Sequence, residues 1–234
     1  MEDTTTNRRI TFPEAKKLQE ELREKLLSIP APEKMTTIGG ADLSFNRFGT
    51  TFYAGIVILS FPDMKLIGRS LVKMEVHFPY VPGYLSFREV PPLLLAWNQI
   101  PVKPDVVVLD GHGVAHPRRM GVAAHFGCVV HHPTIGCAKK KLYGEYKEPL
   151  PYRDAVSPLT DPGTKEILGY VLRTREKVKP VFISPGNMMN MDSSIQIIKQ
   201  CMRRHRLPEP TRMAHEAVNM FRRGELNEGY EDIQ

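Results

Sequence analysis

Three carboxylates stand out in the 234-residue chain because of what surrounds them. Asp42 lies inside an apolar, strand-like run, "IGGADLSF", where an unpaired charge is costly to bury. A bound cation answers that cost; so does an arginine partner or a turn cap. Asp110 ends the run "PDVVVLD" and precedes Gly111 and Gly113, at the kind of strand end where ligands gather in open α/β sheets. The plainer reading is an Asp that starts a turn, although the two glycines also let a ligand approach the backbone closely. Glu89, in "LSFREV", falls at a predicted helix start, where the dipole favours a carboxylate with or without a ligand. Brought together, the three acids offer hard oxygen ligands suited to Mg²⁺. Paired ions about 3.5–4 Å apart stabilise the attacking and leaving oxygens of phosphodiester hydrolysis. Spacing along the chain does not by itself say that the acids converge.

Other residues point less clearly. Lys139, Lys140 and Lys141 in "AKKK" read alone as solvated surface. Five of the eight histidines fall between His112 and His132, which raises zinc. No H-E-x-x-H spacing or matching cysteine set accompanies them, and the zinc reading is set aside. The three cysteines, Cys128, Cys137 and Cys201, form no C-x-x-C pair, which argues against a disulfide framework and for a reducing, cytoplasmic compartment. Cys128 and Cys137 read as small buried apolar residues. Lys and Arg total 32 against 26 Asp and Glu, a net charge of +6. That surplus suits a polyanionic partner, although many equally basic proteins never bind nucleic acid. The N-terminus, with Arg8 and Arg9, has no apolar leader, and no membrane span is expected.

The elements that must position these residues follow from periodicity. Hydrophobic residues make up 41% and charged residues 25%, an ordinary globular balance, and a single domain over 1–234 is expected, with its core at about 35–222. Ala15, Leu18, Leu22, Leu26 and Ile29 recur at helical spacing, predicting a scaffold helix over 13–29. Strand-like runs cover 35–45, 51–61 and 65–76, joined by short polar connectors. A helix is expected over 86–99, a buried strand at 106–109, a helix over 117–126 and a short strand in "CVVHH". "PTIGCAKKKLYGEY" reads as a turn leading to a basic helix, and "YRDAVSPLTDPGTKE" as loop. Two strands, "ILGYVLRT" and "KPVFIS", then helices over 191–205 and 209–224, precede a polar tail over 224–234 expected to fray. The fold class is α/β: an RNase-H-like mixed sheet, a three-strand antiparallel meander followed by parallel strands, flanked by helices.

Five segments carry a more specific signal. "GGADLSF", "PYVPGYLSFRE", "VVVLDGHGVAHPRRMGVAAHFG", "PTIGCAKKKLYG" and "RLPEPTRMA" resemble the successive motifs of the endonuclease V family, in that family's order, from about Met35 to Ala214. The resemblance implies an RNase-H-like fold and a Mg²⁺-dependent nuclease, with Mn²⁺ as a substitute. Asp42, Glu89 and Asp110 match its acidic positions, and Lys139 matches a lysine near the scissile phosphate. Pro79, Tyr80, Val81 and Pro82 match its wedge, usually P-Y-I-P, a stiff loop whose ring fills the space of a displaced base. Gly83, Gly111, Gly113 and Gly136, with Leu85 and Leu142 as apolar walls, are expected to form a pocket for the hypoxanthine base, which must leave the stack to be inspected. His116, Arg88 and Arg118 are candidate phosphate contacts, with structural ion pairs as the alternative for the arginines. Asn187 stands where many relatives have histidine. His215 stands where some carry aspartate, and is a candidate further metal ligand beside its competitor Glu216.

The implied reaction is hydrolysis of the second phosphodiester bond 3′ to deoxyinosine in DNA, leaving 3′-hydroxyl and 5′-phosphate, by a monomer with nucleic acid as its partner. The rivals are an inosine-specific endoribonuclease on the same scaffold and a catalytically silent inosine-binding module.

Overall fold

Alternating burial along the central strands decides which way the acids face. In the computed structural model, which describes residues 10–46 and 49–233, β1 (Thr37–Phe45), β2 (Thr51–Ser60) and β3 (Leu66–Glu75) form an antiparallel meander. Arg8, Arg9 and part of the first connector (Arg47 and Phe48) lie outside the described residues. The strand β4 (Val106–Leu109) pairs parallel with β1, and β5 (Thr134–Ala138) parallel with β4. The hairpin β6 (Val156–Thr160) and β7 (Ile167–Leu172), then β8 (Val181–Pro185), extend one side by antiparallel pairing. With β9 (Gly229–Asp232) on β3, the sheet runs β6-β7-β8-β5-β4-β1-β2-β3-β9. This is the mixed α/β sheet expected from the meander and the alternation after it.

Two faces result from the two-residue period of a strand. Val106 and Val108 join Ile38, Val57, Ile135 and Ile183 beneath α4 (Met191–Gln200) and α5 (Glu209–Arg222). Val107 and Leu109 join Ala41, Ile56 and Ile58 beneath α2 (Ser86–Gln99) and α3 (Val122–Val130). Asp42 and Asp110 share parity with Ile38 and Val108, so both are directed to the α5 face.

The helix α1 (Phe12–Glu24) is opened by a capping box, Thr11 accepting from the Glu14 amide while Glu14 Oε2 accepts from the Thr11 amide at 2.8 Å. It stops five residues short of the predicted Ile29. The Leu27 amide donates to Asn187 Oδ1 at 3.0 Å instead of continuing the helix, and Pro30 disfavours helix just before itself.

Six further expectations are corrected. The helix expected over 117–126 begins at Val122, because Arg119 takes a positive φ of 60° in a turn and Gly121 forms the N-cap. "CVVHH" is not a strand: Cys128 to Val130 finish α3, and His131 caps it in the left-handed region at φ 49°. The first half of "PTIGCAKKKLYGEY" is the fully buried β5, and residues 139–146 form no helix. The loop expected from "YRDAVSPLTDPGTKE" holds β6, paired with β7. The tail does not fray over 229–232: it adds β9, fastened by Arg69 to Glu231 at 2.5 Å. The helix predicted to reach His205 ends at Gln200.

Candidate active site

Two glycines, Gly40 on β1 and Gly55 on its neighbour β2, let α5 lie directly over Asp42. A Cβ on Gly40 would sit 1.9 Å from the Pro210 carbonyl oxygen, and one on Gly55 would sit 2.7 Å from Val218 Cγ1. Only hydrogen at these positions permits the approach, and it sets His215 above Asp42. His215 Nδ1 lies 2.7 Å from Asp42 Oδ2, while Asp42 Oδ1 accepts from the Leu43 amide at 2.8 Å. Asp110 sits one residue beyond β4, its amide donating to the Ala41 carbonyl at 3.0 Å. Parallel pairing of β1 and β4 therefore brings the two carboxylates side by side. Ligand atoms of Asp42, Asp110 and His215 lie within 4.8 Å of one another.

Lys139 follows β5 as Asp110 follows β4, and its ammonium donates to Asp110 Oδ2. Arg206 holds the Lys139 carbonyl at 2.8 Å. Glu89, in the first turn of α2, does not belong to the three-residue group, yet it feels the same charge. Burial and the charges of Asp42 and Asp110 push its carboxyl up to about 8. Burial and Asp42 also raise Asp110, against the opposing pull of Lys139. The hydrogen bond to Asp42 raises His215. Three carboxylates crowded in this way, with one lysine against them, form a site short of positive charge. Hard oxygens with one imidazole nitrogen fit Mg²⁺ or Mn²⁺. Glu216 pairs with Arg212 at 3.0 Å instead, so of the two neighbours it is His215 that reaches the acids.

Beside this centre the 79–82 loop projects outward. Tyr80 is 66% exposed, with the Arg88 guanidinium 5.8 Å from its ring centroid. Arg88 also lies 5.0 Å from the Phe52 ring centroid, and its Nε is buried with no hydrogen-bond partner. His116 and Arg118 both turn toward the Gly83 carbonyl, at 3.2 and 2.6 Å. Leu85 is the N-cap residue of α2 and Leu142 is exposed. The glycines expected to admit a ligand are closely approached by the protein itself. A Cβ on Gly136 would lie 2.4 Å from the Gly113 nitrogen, one on Gly113 1.9 Å from the Pro185 oxygen, and one on Gly111 2.3 Å from Val122. They bring the 110–113 loop down onto β5, between Asp110 and Lys139.

Three of the remaining histidines have structural partners: His112 Nε2 donates to the Lys140 carbonyl at 2.9 Å, and His132 Nε2 to that of Pro104 at 2.6 Å. His125 meets Ser86 Oγ at 2.9 Å. Asn187 is buried and lies with the Leu27 amide and the Gly127 carbonyl, which accepts from it at 3.0 Å. Gly40, Gly55 and Arg206 are the contributors not singled out in the sequence. "GG" two residues before Asp42 was the available signal.

The chain as a whole is similar to known proteins. The endonuclease V family model matches residues 17–216. Endonuclease V of Gloeobacter violaceus is 42% identical over 92% of this chain and 87% of its own. The endonuclease V structure from Streptomyces avermitilis aligns with a TM-score of 0.85 at 35% identity, covering 92% of this chain and 94% of that one. Ciona intestinalis endonuclease V, solved with a 24mer DNA containing an inosine followed by a ribo-adenosine, aligns with a TM-score of 0.79 at 28% identity over 91% and 98%. A family model that spans Asp42, the Tyr80 loop, Asp110, Lys139 and His215, together with 42% identity across nine-tenths of the chain, settles its membership: this chain belongs to the endonuclease V family.

Proposed function

We propose that this protein is a divalent-metal-dependent endonuclease that hydrolyses the second phosphodiester bond 3′ to deoxyinosine, leaving 3′-hydroxyl and 5′-phosphate ends. The observation that carries this reading is the convergence of Asp42, Asp110 and His215 within 4.8 Å, with Lys139 on Asp110, in a chain of this family. Asp42, Asp110 and His215 are the residues that would hold Mg²⁺ or Mn²⁺. When bound there, the cation supplies Lewis acidity toward a phosphoryl oxygen and neutralises developing charge.

The chain's own groups do the rest. Asp42 within β1 and Asp110 just past the end of β4 fix the centre on two paired strands, and His215 buttresses Asp42 from α5. Lys139 carries positive charge beside Asp110, where its ammonium can offset the negative charge that accumulates on a pentacovalent phosphate. Glu89 faces the same space from α2 and positions the attacking water. Tyr80, between Pro79 and Pro82 and beside Val81, occupies the stack left by the extruded base. Leu85 and Leu142 wall the pocket for that base, Gly83 ends the loop beside it, and Gly111, Gly113 and Gly136 pack the 110–113 loop onto β5 behind it, while Arg88, His116 and Arg118 flank the strand or hold the loops that do.

A second reading has specific support. The Ciona relative was solved with an inosine followed by a ribo-adenosine, so a 2′-hydroxyl beyond the lesion is compatible with this fold, and inosine RNA is the alternative substrate.

The test uses end-labelled duplexes carrying one deoxyinosine, one riboinosine or none, incubated with Mg²⁺, with Mn²⁺ and with chelator. One cut one nucleotide past the deoxyinosine, abolished by chelator and absent from the unmodified duplex, is the expected result. Cutting of inosine RNA alone would transfer the reading to the ribonuclease, and binding without cutting would establish the silent module.

A further inference from the structure

The helix α1 sits outside the nuclease sheet, yet it grips the wedge loop at both ends. Before the loop, the Phe12 ring meets Phe78 edge-on at 5.9 Å between centroids. After it, the same ring meets Tyr84 at 5.8 Å. Between these contacts, Gln19 Nε2 donates to the Gly83 carbonyl at 3.1 Å. Gln19 is fully buried, a polar residue on the face of α1 that also buries Ala15 and Leu22. Such a group is costly unless its bonds are made, and here both ends of the amide are engaged. Its Oε1 accepts from Arg118 Nε at 2.6 Å. Arg118 Nη2 then donates to the same Gly83 carbonyl at 2.6 Å, and the guanidinium lies 4.3 Å from the Tyr84 ring centroid. His116 adds a third donor: its Nδ1 accepts from the Arg118 amide at 3.1 Å, which leaves the proton on Nε2, 3.2 Å from the Gly83 oxygen.

We propose that α1 is a clamp for the lesion wedge, with Gln19 and Phe12 as positioning residues that act through Gly83, Phe78 and Tyr84 on Tyr80. The inference rests on reading residues 79–82 as a wedge. Three donors on one carbonyl, at a glycine with φ of +81°, fix the exit of the loop. Phe12 packs against both its flanks, while Tyr80 stays exposed between them. A ring that must hold open a stacked duplex works against a restoring force of a few kcal/mol, so a loosely mounted loop would yield instead of the DNA. The mount is independent of the acids: none of Phe12, Gln19, Phe78 or Tyr84 belongs to the Asp42 group. A substrate that is already single-stranded does not need the wedge, and that difference makes the clamp testable.

The experiment measures kcat/KM of the full chain on duplex and on single-stranded DNA carrying one deoxyinosine. It compares Gln19→Leu, Tyr80→Ala and the double variant, with hydrogen exchange of the amides over 77–85. Gln19→Leu is expected to lower duplex cleavage about tenfold while single-strand cleavage changes less than about twofold, and to cause no further loss in the Tyr80→Ala background, since residues acting in one unit are not additive. Loop amides in Gln19→Leu should exchange roughly tenfold faster, with β1 and β4 unchanged. Equal losses on both substrates, additive losses in the double variant, or unaltered exchange would overturn the clamp. Phe12→Ala, at a ring 45% exposed, gives the same readouts should Gln19→Leu fail to fold. If the wild-type protein cuts neither substrate, the proposed reaction fails, and the clamp is decided by the exchange rates alone.

Discussion

The acidic centre and the wedge loop lie near each other but are held by different means. Asp42 and Asp110 are placed by backbone: β1 pairs with β2 on one side and β4 on the other, and the Asp110 amide bonds to Ala41. The wedge is placed by side chains reaching from α1 and the 116–118 turn to a single carbonyl. A backbone-held site tolerates loss of a carboxylate without losing shape, so substitutions there report on chemistry. A side-chain-held loop loses its geometry when one amide is removed, so substitutions there report on recognition.

The sharpest contrast comes from the acids. Asp42→Asn or Asp110→Asn should cost roughly 10³-fold or more in cleavage with little loss of thermal stability, because neither change breaks the strand pairing and both relieve like-charge crowding. Thermal melts beside cleavage rates check this, and a variant that melts early would merge the two regions into one structural unit.

The backbone holding the centre breaks elsewhere. Gly136→Ala should destabilise the protein by about 3 kcal/mol, since its Cβ would collide with backbone atoms of Gly111, His112 and Gly113 that have no rotamer escape. Denaturant titration measures it; a normal midpoint would mean that the 110–113 loop moves freely on β5.

Acid should loosen the wedge side of the molecule before the sheet. Burial pushes His125 and His116 down to about 4, below the ordinary imidazole value of roughly 6.5. The unfolded chain then binds more protons than the folded one between those values. The stability these residues allow is complete above about pH 6.5 and is lost as pH falls toward 4, on the order of 2 kcal/mol for each ring by pH 5. Unfolding free energies at pH 7.5 and pH 5 test the sign; equal values would place the rings in solvent.

The smallest of these effects lies in the loop itself. Gly83→Ala puts a Cβ at φ +81° and 3.0 Å from Arg118 Nη2, a strain of about 1 kcal/mol. It should lower duplex cleavage roughly fivefold and leave single-strand cleavage nearly unchanged. A larger effect on the single strand would assign Gly83 to the base pocket instead of the mount.

How much of this was legible follows from the same distinction. Val106 to Leu109 announced a buried strand ending at Asp110, and the meander before it was written in β-branched residues and short connectors. Whether Asp42 met Asp110 depended on a parallel pairing between residues about 70 apart, which no local pattern encodes. The resemblance to the family supplied that juxtaposition. β6 was hidden because Pro158 and polar residues mark an edge strand poorly. β5 was hidden because "TIGCA" is too short to show a period. Gln19 gave no sign: within an amphipathic helix a glutamine among lysines and glutamates reads as solvent-facing until its partners, about 64 and 99 residues away, come into view.

The most direct measurement is divalent-ion binding by calorimetry on wild-type protein, Asp42→Asn and Asp110→Asn, paired with cleavage of a single-deoxyinosine duplex at the same ion concentrations. The account predicts that ion binding and cleavage disappear together in both variants, while affinity for the inosine duplex persists. Either variant cutting at the wild-type rate in Mg²⁺ would show that the Asp42–Asp110–His215 cluster is not where the chemistry occurs.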